Sequence, residues 1–246
     1  MEKTIGGDFL YYGYYGMDAT YLLVVIGLLI TLIAQAKVKT AYAKYQEVRS
    51  LSGLTGAQAA RKILVSNGIY DVDVECLPTK GLTDYYDPQS KRVCLSIDIF
   101  NGTSIAALAI AAHECGHALQ DALEYTPLRI RTALVPVANI GSKASWYFIL
   151  AGLMIGGQGA ALCEIGIVMF ALAVGLELVT LPVEFNASRR ALSQVEELGL
   201  VTEEEQTGAQ KVLKAAALTY VAAAASGLLQ LLRLVILFGN RRGRRD

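Results

Sequence analysis

The chain has 246 residues, of which 54% are hydrophobic and 18% are charged. A soluble domain of ordinary composition is about 45–50% apolar and about 25% charged, so this chain carries too little charge for a wholly soluble protein. Its formal net charge is zero, which argues against nucleic-acid binding through a basic field. The four cysteines, Cys76, Cys94, Cys115 and Cys163, form no CxxC pair, so no zinc ribbon or dense disulfide framework is predicted.

The first predicted membrane helix covers residues 19–36, an almost uncharged apolar run near the lower length limit for crossing a bilayer. Residues 1–18 are rich in tyrosine and glycine, which predicts an interfacial entry to this helix. They contain three acidic residues and one lysine, whereas a secretory signal begins with positive charge. We therefore predict a retained transmembrane helix.

Basic residues then set the predicted orientation. Lys37, Lys39, Lys44 and Arg49 follow the first apolar run, so the positive-inside rule places residue 37 onward on the cytoplasmic side. Two further apolar runs, 133–157 and 160–181, predict a helical hairpin with a turn at 156–159, and the second run is expected to end at Pro182. The flanks of the hairpin agree with this orientation because they are basic: Arg129, Arg131, Arg189 and Arg190.

A last apolar run, residues 215–238, conflicts with that orientation. If it crosses the membrane, the arginine-rich tail lies outside, and Arg233 is placed in an apolar setting. A position in the interface, packing on the catalytic region and a failure of the rule are all compatible with the sequence. The tail itself is typical of a membrane-surface anchor.

A small α+β region is predicted between the first two apolar runs. A helix is expected from an N-cap at Thr55 to Gly68, and residues 72–75 alternate as a strand does. A hairpin follows with its turn at 87–90, and Ser104 can cap the next helix. That helix carries the segment His113-Glu114-Cys115-Gly116-His117.

This HExxH segment predicts a catalytic zinc site. Residues four apart share one helical face, so His113 and His117 can bind one ion, with Glu114 placed as the general base for a water activated by it. The chain has only two histidines, and both lie in the motif. A third protein ligand must therefore be Glu, Asp or Cys. Glu184 is the best candidate, with Asp121, Glu124 and Glu177 as competitors.

Several segments of the chain carry a family resemblance. HECGHALQ, TLPVEFNASRRAL and AAALTYVAAA, together with GLTGAQAARKIL and LTDYYDP, resemble the bacterial membrane-bound neutral zinc metallopeptidases of the YugP type. These in turn resemble the clan of HtpX-type and CAAX-prenyl proteases, in which a glutamate of an E-F-x-A-D-R arrangement is the third zinc ligand. The resemblance implies a zincin-like domain of the gluzincin type, with zinc ligation by Glu184.

The sequence departs from that pattern at two positions. Ser188 stands where the clan has an aspartate, so Asp121 is a candidate carboxylate partner for a ligand histidine. Tyr85 stands where the family often has histidine, so the group that stabilises the oxyanion is open. Tyr85 is one candidate for this role, and the others are Tyr86, Arg189 and Tyr220.

We thus predict a mainly α integral membrane protein with transmembrane helices and a small α+β zincin-like catalytic domain around an HExxH helix. The expected function is a zinc endopeptidase of the plasma membrane, multi-pass, with one Zn²⁺ per chain and a cytoplasmic active site. Its substrates would be proteins or peptides, membrane proteins among them, paired along the strand 92–96. The alternatives are a catalytically silent zinc-binding membrane scaffold and an intramembrane-cleaving metalloprotease. The predicted division of the chain is 1–36, 37–131, 132–182, 183–214 and 215–246.

Overall fold

The structure is a computed structural model that describes residues 19–242, with residues 157 and 239–242 described by their backbone alone. The predictions for residues 1–18 and for the side chains of the basic tail lie outside this range. The mainly α class is confirmed. In chain order the elements are α1 Tyr21–Gln46, α2 Gly56–Ser66, β1 Asp73–Leu77, β2 Tyr85–Asp87, β3 Arg92–Ser96, α3 Ile97–Phe100, α4 Ile105–Ala122, α5 Thr126–Ile155, a 3₁₀ turn Gly156–Gly159, α6 Ala160–Glu197 and α7 Glu203–Arg242.

Three described helices are long and apolar enough to cross a membrane: α1, α6, and α7 as far as Phe238. The predicted runs 19–36 and 160–181 fall in the first two of these. The run 133–157 forms most of α5, which is not among the three. The run 215–238, which the sequence left open, belongs to a helix that meets the criteria for a membrane span.

The described residues divide into two compact units, the first comprising residues 19–32, 138–174 and 222–242. In this unit small polar residues join α1 to α7. The Ser226 hydroxyl donates to the Gly27 carbonyl at 2.8 Å and lies 3.0 Å from the Thr31 hydroxyl. The Arg233 guanidinium lies 4.2 Å from the centre of the Tyr21 ring. This cation–π contact gives the arginine a favourable partner within the apolar run 215–238 of α7.

The second unit comprises Ile33–Val137 and Gly175–Val221 and contains the sheet. The strand order is β1-β3-β2, with β1 parallel and β2 antiparallel to β3. The predicted hairpin is confirmed, and the predicted strand 72–75 is found slightly later, at β1. Because β3 is central and has neighbours on both sides, the expectation that residues 92–96 pair with substrate is wrong. The available edge next to the hairpin is that of β2.

Helix capping fixes α2 and α4 as the sequence predicts. Thr55 and Gln58 form a capping box, and the Ser104 hydroxyl accepts from the Ala107 N–H at 3.2 Å. Gly68, just after α2, has φ of 72°, a conformation that glycine adopts without strain. Both helices belong to one buried core with β3 and the facing parts of α6 and α7. The α4 helix is buried over most of its length because nearly every face of it is apolar.

The α6 helix continues without a break through Pro182, so the prediction that the helix restarts after this proline is wrong. Proline removes one helical hydrogen bond, a loss that membrane helices tolerate. The turns that follow are held by packing, since Val183, Ala187 and Ala191 are each 0% exposed. Tertiary burial of this face outweighs the local preference for a break.

Candidate metal centre

The α4 helix places both histidines on one face, as the spacing predicts. The ring centres of His113 and His117 lie 4.8 Å apart, with the ring planes at 82°. His113 is partly buried and His117 is buried, so both imidazoles lie in the interior of the second unit. One ion can therefore contact both rings through a single nitrogen of each.

Glu184 of α6 completes a group of three ligand atoms. Its Oε2 lies 3.2 Å from His113 Nε2 and 3.6 Å from His117 Nε2, and the residue is 2% exposed. Among the described residues these three form the candidate metal group, with ligand atoms within 4.8 Å of one another. A tetrahedral zinc ion with bonds of about 2.0–2.1 Å holds its ligand atoms about 3.3 Å apart. The donor types and the separations of Glu184 Oε2 from the two imidazoles thus fit zinc.

Hydrogen bonds orient the two imidazoles. His117 Nδ1 lies 3.0 Å from the Gln120 Oε1, and the Gln120 amide nitrogen donates to the Val183 carbonyl at 2.8 Å. Because that carbonyl can only accept, the amide oxygen must face His117, so Nδ1 carries the proton and Nε2 is free to bind a metal. The Ser188 hydroxyl lies 3.2 Å from His113 Nδ1 and orients the other ring; because a hydroxyl can accept as well as donate, this contact is compatible with a proton on Nδ1. Such partners set the tautomer and direction of ligand histidines.

A glycine within the motif allows α4 and α6 to approach each other. A Cβ added at Gly116 would lie 2.5 Å from the Ala187 carbonyl oxygen and 3.1 Å from its Cα. The backbones of the two helices are therefore in direct contact at this point. This contact lies between the two histidines and one turn after Glu184, so it fixes the separation of the metal ligands.

Glu114 points to the same centre but does not belong to the ligand group. It is 7% exposed, and this burial raises the pKa of its carboxyl to about 7, with the nearby charges of Glu184 and Asp84 adding to the effect and His113 opposing it. The backbone N–H of Tyr86 also faces the carboxylate. A carboxylate with a pKa near neutrality is suited to take up and return a proton at neutral pH.

A cavity of about 260 Å³, partly open to solvent, lies beside Glu114 and His113. Its remaining walls come from α1, from the segment before β2, from α4 and from α7. The polar groups that reach it include Asp84 and Tyr220. The centre is therefore accessible from a preformed pocket.

A sequence model of the family described as "Putative neutral zinc metallopeptidase" matches residues 20–239. The chain belongs to this family. It is 47% identical over 210 residues to "Putative membrane protease YugP" of Bacillus subtilis (strain 168), an alignment that covers 85% of this chain and 92% of that protein. No solved structure matches the chain significantly. The name of the relative and the three apolar helices fit a membrane protein.

Within this family member, the predicted partner role of Asp121 is wrong. Its carboxylate accepts from the Tyr86 hydroxyl at 2.7 Å and from Lys91 Nζ at 2.6 Å, away from either imidazole. Gln120, one residue earlier, contacts His117 in its place. Asp121, Glu124 and Glu177, the competitors for the third ligand position, do not belong to the candidate metal group formed by the described residues.

The candidates for oxyanion stabilisation are spread over different surroundings. Tyr85 is 48% exposed on β2 and its side chain faces Cys94, whereas Tyr220 lines the cavity and its hydroxyl faces Glu184. Tyr86 is engaged with the Asp121 carboxylate, and Arg189 is exposed.

The sequence reasoning missed two contacts of the centre. Arg131 Nη2 lies 3.7 Å from Glu184 Oε1, although this arginine was considered only as a basic flank of a membrane segment. Gln120 lies three residues after His117 and is therefore on a neighbouring part of the same helical face, which is the signal that the sequence offers for this contact. No local pattern indicates the contact of Arg131 with Glu184.

Proposed function

We propose that this chain is a zinc-dependent endopeptidase that hydrolyses peptide bonds of proteins or peptides at the cytoplasmic face of the membrane. One observation carries the proposal: His113, His117 and Glu184 converge within 4.8 Å of one another beside a buried glutamate. The zinc family and the membrane-protease relative agree with this chemistry. The arrangement is that of a gluzincin, as the HtpX and CAAX-protease clan also has.

Each residue of the centre has a proposed role. His113, His117 and Glu184 would hold zinc, which when bound lowers the pKa of a water and polarises a peptide carbonyl. Glu114 accepts the proton of the attacking water and passes it to the leaving amine. Without a bound cation, burial raises the pKa of its carboxyl to about 7. Arg131 holds the second oxygen of Glu184 by charge at 3.7 Å.

Tyr220 is our preferred candidate for stabilising the oxyanion. It lines the same cavity as Glu114 and His113, so its phenol can donate a hydrogen bond to a carbonyl oxygen placed between them. Tyr85, which stands where the resembling family often has histidine, stays a predicted candidate for the same role. Phenylalanine variants distinguish the two tyrosines: loss of kcat by about 100-fold, with zinc content unchanged, is expected at the tyrosine that performs this role.

Extended substrate is proposed to lie along β2. This strand is at the edge of the sheet, and the backbone N–H of its central residue, Tyr86, faces Glu114. An edge strand offers unpaired backbone groups to an added strand of substrate. This placement replaces the predicted pairing along β3.

Two alternative functions fit the centre less well. A structural zinc site closes all four positions with protein ligands, whereas here three ligands stand beside a cavity and a carboxylate whose pKa is about 7. Cleavage within the bilayer would place the HExxH helix in the membrane. The α4 helix is not among the described helices that meet the criteria for a membrane span.

The orientation also belongs to the proposal. Glu184 and the α4 histidines meet, so the C-terminal half of α6 lies on the same side of the membrane as residues 105–122. If α6 crosses the bilayer, α5 must cross it as well to return the chain. The basic residues at the C-terminal end of α1 and at the start of α5 support a cytoplasmic position of the centre. Accessibility tags at residues 157 and 246 would test this, with both expected outside.

The function is tested by zinc content and proteolysis of the detergent-purified full chain. We expect one zinc per chain and cleavage of casein in the parent, zinc without cleavage in Glu114→Gln, and loss of zinc in Glu184→Ala. Glu204→Gln, which changes an exposed glutamate at the start of α7, is the matched control and should behave as the parent. Cleavage by Glu114→Gln at the parental rate would refute the role of this residue.

A further inference from the structure

Most of the surface that lines the cavity beside Glu114 is apolar. Its aliphatic residues come from four separate segments of the second unit and are Val38, Leu82, Ile110, Val212, Leu213 and Ala216. No lysine or arginine lines this cavity among the residues that the structure describes. Binding of an apolar group here would remove apolar surface of both the group and the cavity from water. This effect is favourable and does not depend on the orientation of the bound group.

The position of the cavity relates it to the bond that is cleaved. Glu114 and His113 are part of its lining, so the cavity begins at the proposed catalytic base and at a proposed metal ligand. A peptide bond that reacts there carries its two flanking side chains within a few ångströms of the reacting carbon. One of them can therefore enter this cavity, which adjoins both Glu114 and His113.

The carboxylate of Asp84 also lines the cavity, so a lysine or arginine side chain of the substrate is the alternative to an apolar one. One of its oxygens accepts from the Ser96 N–H at 2.7 Å, which fixes it to the end of β3, while the other has no hydrogen-bond partner in the described residues. Burial raises the pKa of this carboxyl. One carboxylate, already held at one oxygen by the Ser96 N–H, stands against six aliphatic residues, so most of the surface that a bound side chain would meet is apolar.

We propose that this cavity selects a large aliphatic or aromatic residue next to the scissile bond, and that Ala216 determines how large that residue can be. The inference rests on the proposed peptidase function and names its substrate class. Val212, Ala216 and Tyr220 follow each other at intervals of four on α7, so they share one helical face toward the cavity. Ala216 is the smallest of the three and leaves the space between the other two.

The test uses the zinc-loaded full chain in detergent with a series of fluorogenic peptides that differ at one position beside the cleaved bond. Leucine, phenylalanine, alanine, lysine and aspartate are compared at this position, and the cleaved bond is identified by mass spectrometry. The variants are Ala216→Leu, which fills the cavity, and Val212→Ala, which enlarges it. Ala223→Leu, at an exposed position of the same helix, is the matched control, and Glu114→Gln gives the background.

We expect kcat/KM of the parent to be at least about tenfold higher for leucine or phenylalanine than for lysine or aspartate. Ala216→Leu should reverse the order of phenylalanine and alanine, Val212→Ala should favour phenylalanine further, and Ala223→Leu should change nothing. Two results would overturn the inference and leave the proposed function standing. One is cleavage that depends on Glu114 but shows no preference for apolar residues. The other is a preference for lysine that is lost in Asp84→Asn. If the parent cleaves no peptide, or if Glu114→Gln cleaves as fast as the parent, the proposed function itself is overturned. If Ala216→Leu does not bind zinc, the preference of Val212→Ala for phenylalanine over alanine decides whether the cavity sets the size of the residue.

Discussion

Substitution of Gly116 by alanine tests whether the close approach of two helices sets the metal geometry. The added Cβ would lie 2.5 Å from the Ala187 carbonyl oxygen, which is about 0.9 Å short of the 3.4 Å at which ordinary van der Waals contact begins. The obstructing atom is backbone, so no side-chain rotation can relieve the clash. The α4 and α6 helices must separate instead, by an amount comparable to that deficit.

This separation would act directly on the metal ligands. Ala187 follows Glu184 by three residues on α6, while Gly116 lies between the two histidines of α4. Ligand distances in zinc sites are kept within about 0.2 Å, so a shift approaching 0.9 Å would remove Glu184 from the ligand set. Overpacking of a buried contact costs about 1–3 kcal/mol of folding free energy, and we expect the zinc dissociation constant to rise by at least about 100-fold.

The assay compares Gly116→Ala with Gly175→Ala in detergent, by zinc titration and thermal unfolding. Gly175 is also in a helix, on α6, and a Cβ added there would meet nothing within 4 Å. This control should bind zinc as the parent does and gain up to about 1 kcal/mol of stability, because alanine favours a helix over glycine. A Gly116→Ala protein that remains folded and binds zinc with parental affinity would refute the reasoning.

Three further predictions concern the same centre. Gln120→Leu removes the amide that orients His117, so zinc affinity should fall by about 10–100-fold in a competition titration; an unchanged affinity would mean that packing alone orients this ring. Ser188→Ala should lower zinc affinity less, by about tenfold or under, because His113 loses one neutral hydrogen bond; a larger loss than in Gln120→Leu would contradict this order. Removal of zinc by a chelator should lower the unfolding temperature, since an ion present at 100 times its dissociation constant stabilises the fold by about 2.7 kcal/mol, and re-addition of zinc should restore it.

The HExxH motif could be predicted from sequence because its geometry is local. A spacing of four residues determines that two side chains share a face of any helix, whatever surrounds it. The caps at Thr55 and Ser104 and the hairpin of β2 and β3 were predictable for the same reason: each is decided within a few residues. Glu184 is 67 residues from His117, so the sequence alone makes it only the best of several acidic candidates, and the family resemblance strengthens that choice.

The errors occurred where tertiary contacts decide. Pro182 predicts the end of a helix locally, but burial of the following turns against α4 keeps α6 continuous. Asp121 was expected near a histidine because of its charge, yet Lys91 and Tyr86, which come from the hairpin, hold it elsewhere. Arg131 reaches Glu184 only because α5 passes the centre, and no pattern within α5 encodes this contact.

The polar residues of α4 give the strongest independent argument for a functional centre. The helix lies in an apolar core, yet it buries Glu114, His117 and Gln120 at 7%, 7% and 0% exposure. Burial of such groups is unfavourable unless each finds a partner, and well-packed apolar residues in place of buried charged groups are often neutral for stability or stabilising. His117 and Gln120 are satisfied by hydrogen bonds that direct a free imidazole nitrogen toward Glu184, while Glu114 has its pKa displaced to about 7. A core built only for stability would have no use for this arrangement, whereas a site that must bind a cation and move a proton requires it.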